Sequence, residues 1–323
     1  MRKPDRPGLY TPDDMLWRVN RELVLLLSGT RALLLEIAHP LVAAGVAEHS
    51  DFKRRPLKRL FRTVNMMQRM SFGEDAIMRG AARGVNRCHR PVNGVLAEPV
   101  GHYEAGTAYD ADDPALRLWV WATLVDSCIV FYDALVHPMS PADREAYYRD
   151  SVKMGRMFGV TPDLLPPDYP AFDAYMQETI YGGTLAVGET ARAIWRAIVR
   201  YPVFGQMVRL ASFVSIGLMP DHLREAFDLP WGPARERRLQ WFLRTAPRVR
   251  RFLPTPISVH PEAWRRERSY VLLQTFGRVR EWRHGRLQPA VSHSGRARDV
   301  DGRWQRRRCG HRGGRCAAGH RTV

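Results

Sequence analysis

Asp113-Pro-Ala-Leu-Arg-Leu-Trp-Val-Trp-Ala-Thr-Leu-Val-Asp-Ser-Cys-Ile-Val-Phe-Tyr-Asp-Ala-Leu-Val136 decides the fold. It opens with a capping acid and a proline suited to the first helical position, then stays apolar around almost every side. A helix of that kind is either a membrane span or the centre of a helical core. Asp126 and Asp133 argue for the core, because a charge at bilayer depth costs several kcal/mol on insertion scales. Seven residues apart, the two acids share one helix face and call for arginine partners once buried.

Working outward, nearly every other segment also reads at a helical period, and no alternating run demands a strand. The chain is therefore expected to be all-α. Thr11-Pro12-Asp13-Asp14 predicts a helix through about Leu26, and a second starts near Thr30 and is kinked or broken by Pro40. The apolar stretch Leu23 to Val46 fails as a span because it holds Arg31, Glu36 and Pro40. Pro56 suits the start of a helix carrying Arg59, Arg62 and Thr63, and another is expected from Gly73 to about Val92. Residues 94–113, rich in glycine and acids, read as a loop or excursion. Ser140-Pro141-Ala-Asp-Arg-Glu145 begins the helix after the central one, and Pro162, Pro166, Pro167 and Pro170 mark a linker. Four shorter helices follow: Ala171 to Tyr181, Glu189 to Arg200, Val203 to Leu218 and Pro233 to Arg251.

The 323 residues are 45% apolar, enough to bury a substantial core. Net charge is +17, which alone would suggest nucleic acid or an anionic surface as partner. Thirteen arginines against three acids lie in residues 271–323, so most of that charge is terminal. A single domain over residues 1–268 and an arginine- and glycine-rich extension over 269–323, expected to stay disordered, is the organisation this implies. Cys309, His311, Cys316 and His320 have zinc-ligand types without a finger spacing. Phosphate binding by the tail would be unspecific and steeply salt-dependent. Four scattered cysteines and the absence of a signal pattern predict a reducing, cytoplasmic setting, with no transmembrane segment and peripheral membrane contact compatible. Oligomeric state is not specified.

Three blocks resemble a known family: Arg31-Ala-Leu-Leu-Leu-Glu-Ile-Ala-His-Pro-Leu-Val-Ala-Ala-Gly-Val-Ala-Glu-His-Ser50, the His89-x-x-Val92-x-Gly94 signature, and Leu118-Trp-Val-Trp-Ala-Thr-Leu-Val-Asp-Ser127. Over about Pro12 to Pro261 the chain is similar to the bacterial branch of the rubber-oxygenase and MpaB-type oxygenases. The resemblance implies an all-helical domain with a pocket for haem b between helices, and dioxygen-dependent cleavage of double bonds in isoprenoid-like substrates. By motif, His89 is implied as the proximal iron ligand. Arg59, Arg62 and Thr63 correspond to the arginine, basic residue and threonine near the haem, and Glu48 to a glutamate base.

The chemistry of a lone histidine agrees, since haem supplies four equatorial nitrogens and needs one axial ligand, whereas zinc needs three or four. Each residue also has a plainer reading. Arg59 and Thr63, at i and i+4, could belong to a solvated basic face with Arg54, Arg55, Lys58 and Arg62. His39 is a second axial or distal imidazole, or a buried histidine paired with a carbonyl freed by Pro40. Glu48, His49 and Asp51 are an acid–base cluster or a polar helix end. Trp121 stands where other members have a histidine, and is a haem neighbour or core. Pro91 and Asn93 depart from the usual His-x-Arg-Val-Arg-Gly form and place the tilt of the His89 ring in question. The expected partners are a small apolar alkene and dioxygen, with no specific nucleic acid. The alternative is a helical protein that binds haem or an apolar ligand without turnover.

Overall fold

The structure, a computed structural model, describes residues 8–49, 56–199 and 205–271, with the side chains of 56–61 and 205–210 left out. The described residues fall in one compact unit, Met1–Leu272. The expectations for residues 273–323, including the Cys309 to His320 group, lie outside the described residues, as does Asp51.

Among the described residues, all but one small ribbon of the regular structure is helical. The chain runs α1 (Met15–Asn20), α2 (Ser28–Ala38), α3 (Pro40–His49), α4 (Pro56–Phe72) and α5 (Asp75–His89). A hairpin of β1 (Asn93–Val95) and β2 (Ala108–Asp110) follows. Then come α6 (Pro114–Leu135), α7 (Pro141–Met157), α8 (Tyr169–Tyr181), α9 (Glu189–Val199), α10 (Gly205–Gly217), α11 (Asp221–Ala226), α12 (Pro233–Phe252) and α13 (Thr255–Ser258). A last helical stretch covers 261–271.

α6 is the axis, as its apolar girth requires. Asp113 caps it by accepting from the amides of Ala115 and Leu116, and α2, α7 and α12 pack around it. Its two acids find the arginines expected of them: Arg31 from α2 lies 2.5 Å from Asp126, and Arg144 from α7 pairs with Asp133. Arg31 also donates to Ser127 Oγ and the Leu218 carbonyl, so Nε and Nη1 of this buried guanidinium are engaged. Among the described residues α6 is the one single helix long and apolar enough to cross a bilayer. Trp119, Phe131 and Leu135, almost wholly buried, point instead to a core role. α7 begins with the capping box of Ser140 and Asp143.

Two expectations are corrected. The first helix spans only Met15–Asn20, because Glu22 turns into the core to pair with Arg250 and the chain continues as a 3-10 turn over Leu23–Leu27. Residues 94–113 are not all loop: Asn93 to Val95 pair antiparallel with Asp110 to Ala108. At Pro40 the helix is broken, as expected, and the chain bends by 105° between the stretch ending at Ala38 and α3. The Ala38 carbonyl at that break accepts from Ala186 N at 3.0 Å.

Candidate functional site

α4 and α5 form a helical pair, and α5 ends on His89. The exposed Pro91 cannot continue the helix, and the chain turns at once, Val92 N donating to the His89 carbonyl at 2.7 Å. His89 is half-buried in this corner. From α4, Arg62 reaches to 3.6 Å from Cys88 Sγ, so the basic helix lies against the His89 turn. Thr63 is exposed, while Arg59 belongs to α4 with its side chain outside the description.

The hairpin that follows His89 is stapled to α3. Tyr109 donates to Glu48 Oε2 at 2.5 Å, and His49 Nε2 lies 3.0 Å from the Asn93 carbonyl. Glu48 and His49 are thus tethers for the ribbon in this structure. Burial, reinforced by the Glu48 contact, pushes the Tyr109 phenol pKa well up. Gly94 is dictated by this packing: a Cβ there would sit 2.6 Å from the Tyr109 hydroxyl. Ala44, Leu96 and Tyr109, with Leu41, Val92 and Tyr103 against them, make a small apolar cluster apart from the main core.

His39, at the α2–α3 bend, faces the same hairpin loop. It is buried, and its Nε2 lies 3.2 Å from the Tyr103 hydroxyl, which donates to the Thr184 carbonyl at 3.3 Å. One hydroxyl proton cannot serve both bonds, so Nε2–H donates to Tyr103 and Nδ1 carries the lone pair. That Nδ1 is buried without a partner. Desolvation, helped by nearby His102, lowers the His39 pKa to about 4, keeping the ring neutral at physiological pH.

Trp121 lies elsewhere. It is buried between α6, α7 and α8, edge-on to Phe172 at 5.9 Å and beside Tyr148 at 6.0 Å. Its Nε1 has no acceptor. A cavity of about 250 Å³ opens at the far end of the α4–α5 pair, lined by Gln68, Arg69, Ile77, His260, Glu262 and Arg266. Ile77 stands twelve residues before His89, roughly 18 Å along the helix. The residues that line it do not include His89 or His39. Among the described residues no group of three or more His, Cys, Asp and Glu gathers to hold a metal ion.

Residues 17–248 match the family model described as ER-bound oxygenase mpaB/B'/Rubber oxygenase, catalytic domain. The chain belongs to this family. The catalytic-domain match takes in α2 through most of α12 and hence every candidate site residue. Two curated relatives, the uncharacterised proteins Mb2261 of Mycobacterium bovis and Rv2237 of Mycobacterium tuberculosis, are each 27% identical over 234 residues, 69% of this chain and 87% of theirs. No solved structure matches.

Within this oxygenase-family domain the structure brings Arg62 to the His89 turn, and Glu48 and His39 to the hairpin behind it. Trp121 is not joined to them by any of these contacts. Sequence reading missed Tyr103, Tyr109 and Thr184, which tie the candidates together. Two tyrosines in a glycine-rich segment otherwise full of acids were the available signal.

Proposed function

We propose that the protein is a haem-b-dependent oxygenase that uses dioxygen on an unsaturated, isoprenoid or lipid-like substrate. One observation carries the reading: a chain of the rubber-oxygenase family ends α5 on a half-buried imidazole, His89, with the arginine-bearing α4 alongside.

The donor chemistry supports haem over a bare ion. A site served by one imidazole suits a metal that arrives with its own equatorial ligands. His39 offers a second neutral imidazole with an unpartnered buried Nδ1, available to a bound group on the hairpin side. Bound haem iron would supply dioxygen activation, so that one carbon–carbon double bond and one O₂ become two carbonyl ends.

The chain's own residues take the other tasks. His89 would hold the iron. Arg62 and Arg59 would offer guanidinium charge to the haem propionates, and Thr63 a hydroxyl on the same helix. Glu48, engaged by Tyr109, fixes the hairpin that follows the ligand. His39, neutral and fastened through Tyr103 to Thr184, is a hydrogen-bond acceptor that needs no proton from solvent. Cys88 and Cys128 are free thiols, which suits the reducing cytoplasm expected from the sequence.

The test is reconstitution of the full chain with haemin. A Soret band is expected, lost or strongly shifted in His89→Ala, together with oxygen uptake in the presence of a polyisoprenoid alkene. No Soret band, or one indifferent to His89→Ala, overturns the reading. Haemin binding without oxygen uptake makes the protein a carrier instead.

A further inference from the structure

We propose that the outward face of α12 docks on an anionic lipid surface. The helix reads Pro233-Ala-Arg-Glu-Arg-Arg-Leu-Gln-Trp-Phe-Leu-Arg-Thr-Ala-Pro-Arg-Val-Arg-Arg-Phe252, seven arginines against one glutamate. Its two sides differ sharply. Leu239 is buried, and Arg250 turns inward to hold Glu22 with a 2.7 Å bond. At 100° per residue, Trp241 and Phe252 fall within about 20° of each other on the opposite side. Arg237, Arg244 and Arg248 flank them on one edge, and Arg238 and Val249 on the other.

That outer face is unusual for a surface facing only water. Trp241 is 67% exposed and Phe252 83%, and the apolar row continues past the helix into Leu253 and Ile257, also exposed. A shallow groove of about 310 Å³ beside it is lined by Ala234, Arg237, Arg238 and Trp241. Among the described residues, Arg237, Arg238, Arg244 and Arg251 have no carboxylate partner, whereas the arginines that turn into the core, Arg31, Arg144, Arg224 and Arg250, are each in an ion pair. An exposed indole and phenyl between unpaired guanidiniums is the composition of an interfacial helix, the rings entering the headgroup boundary while the arginines meet phosphates.

Charge and shape select this occupant. A second copy in a two-fold contact would bring two arginine rows face to face. Nucleic acid would use the arginines, and Trp241 could stack on a base, but Val249, Leu253 and Ile257 have no ring to stack. Acyl chains satisfy all of them. The inference is independent of haem at His89, and its test uses the protein without haemin.

Because the tail beyond residue 271 is itself rich in arginine, total vesicle binding is a blunt measure, and the readout is placed on Trp241. Full-chain protein is mixed with phosphatidylcholine and phosphatidylglycerol vesicles whose acyl chains carry bromine near the headgroups. Quenching of tryptophan emission is expected, and Trp241→Phe should remove most of the quenched component while vesicle cosedimentation persists. The triple variant Arg237→Gln, Arg238→Gln, Arg244→Gln should lose affinity on the order of a hundredfold. Phe252→Ser should weaken it by roughly tenfold. Equal quenching in wild type and Trp241→Phe, or unaltered affinity in the triple variant, overturns the proposal. So does retention of an oligonucleotide, but not vesicles, through these three arginines, or a dimer in sedimentation that Phe252→Ser dissolves.

Discussion

α6 and α12 are both long helices, and both depend on arginine, in opposite ways. The two acids of α6 are answered by arginines from neighbouring helices, Asp126 by Arg31 and Asp133 by Arg144, and its own Arg117 pairs with Asp112 just before it. On α12 the arginines are the helix's own, and of the seven Arg250 is the one that answers a carboxylate among the described residues. Burial makes the difference. A guanidinium inside must have its donors met or cost more than it gives, whereas one in water can be left unpaired at little expense. Around α6 paired charge belongs to the core, and the unpaired guanidiniums of α12 are the ones the proposed lipid contact would use.

The largest effect should come from breaking the inner pairing. Asp126→Ala leaves Arg31 buried without its counter-charge and is expected to cost about 3 kcal/mol in urea unfolding. Arg237→Gln on the outer face of α12 should stay within about 0.5 kcal/mol. Similar losses for both would erase the contrast.

Next comes acid. His39 has a pKa of about 4 when folded and about 6.5 when unfolded, so the unfolded chain takes the proton first as pH falls. Stability is complete above pH 6.5 and drains away toward pH 4, by about 2 kcal/mol at pH 5 and about 3 kcal/mol at the lower end. Burial lowers His260 as well, with the same sign. Unfolding curves between pH 7 and pH 5 should show a shallower decline for His39→Gln than for wild type. Parallel declines would mean that this imidazole is not the group responsible.

The smallest effect probes packing around α6 itself. A Cβ on Gly155 would lie 2.9 Å from the Trp121 ring, so Gly155→Ala should cost about 2 kcal/mol. Trp121→Phe vacates that space without losing a hydrogen bond, since its Nε1 has none. The double variant should be less damaged than the two single losses added together, and strict additivity would show that α6 and α7 do not touch there.

Much of this was legible in the sequence because it is written locally. Asp113-Pro114 and the Ser140 box place two helices, Pro56 starts a third, and Asp126 with Asp133 announces arginine partners. The misreadings share a cause, which is distance. Glu22 ends the first helical region because Arg250, 228 residues on, takes its carboxylate. β1 and β2 have three residues each, too short for a period, and owe their place to Tyr109 reaching Glu48. At the site, His39 stood out as a histidine before a proline on an apolar helix. Its anchor Tyr103 is 64 residues away and left no local sign.

The break at Pro40 also sets a clock. The Ala38 carbonyl is satisfied by Ala186, so the corner between α2 and α3 is closed by a residue made 148 positions later. At roughly 5–20 residues per second, a ribosome needs on the order of ten to thirty seconds to deliver it. Throughout that interval the bend between α2 and α3 lacks the bond that closes it in the finished fold.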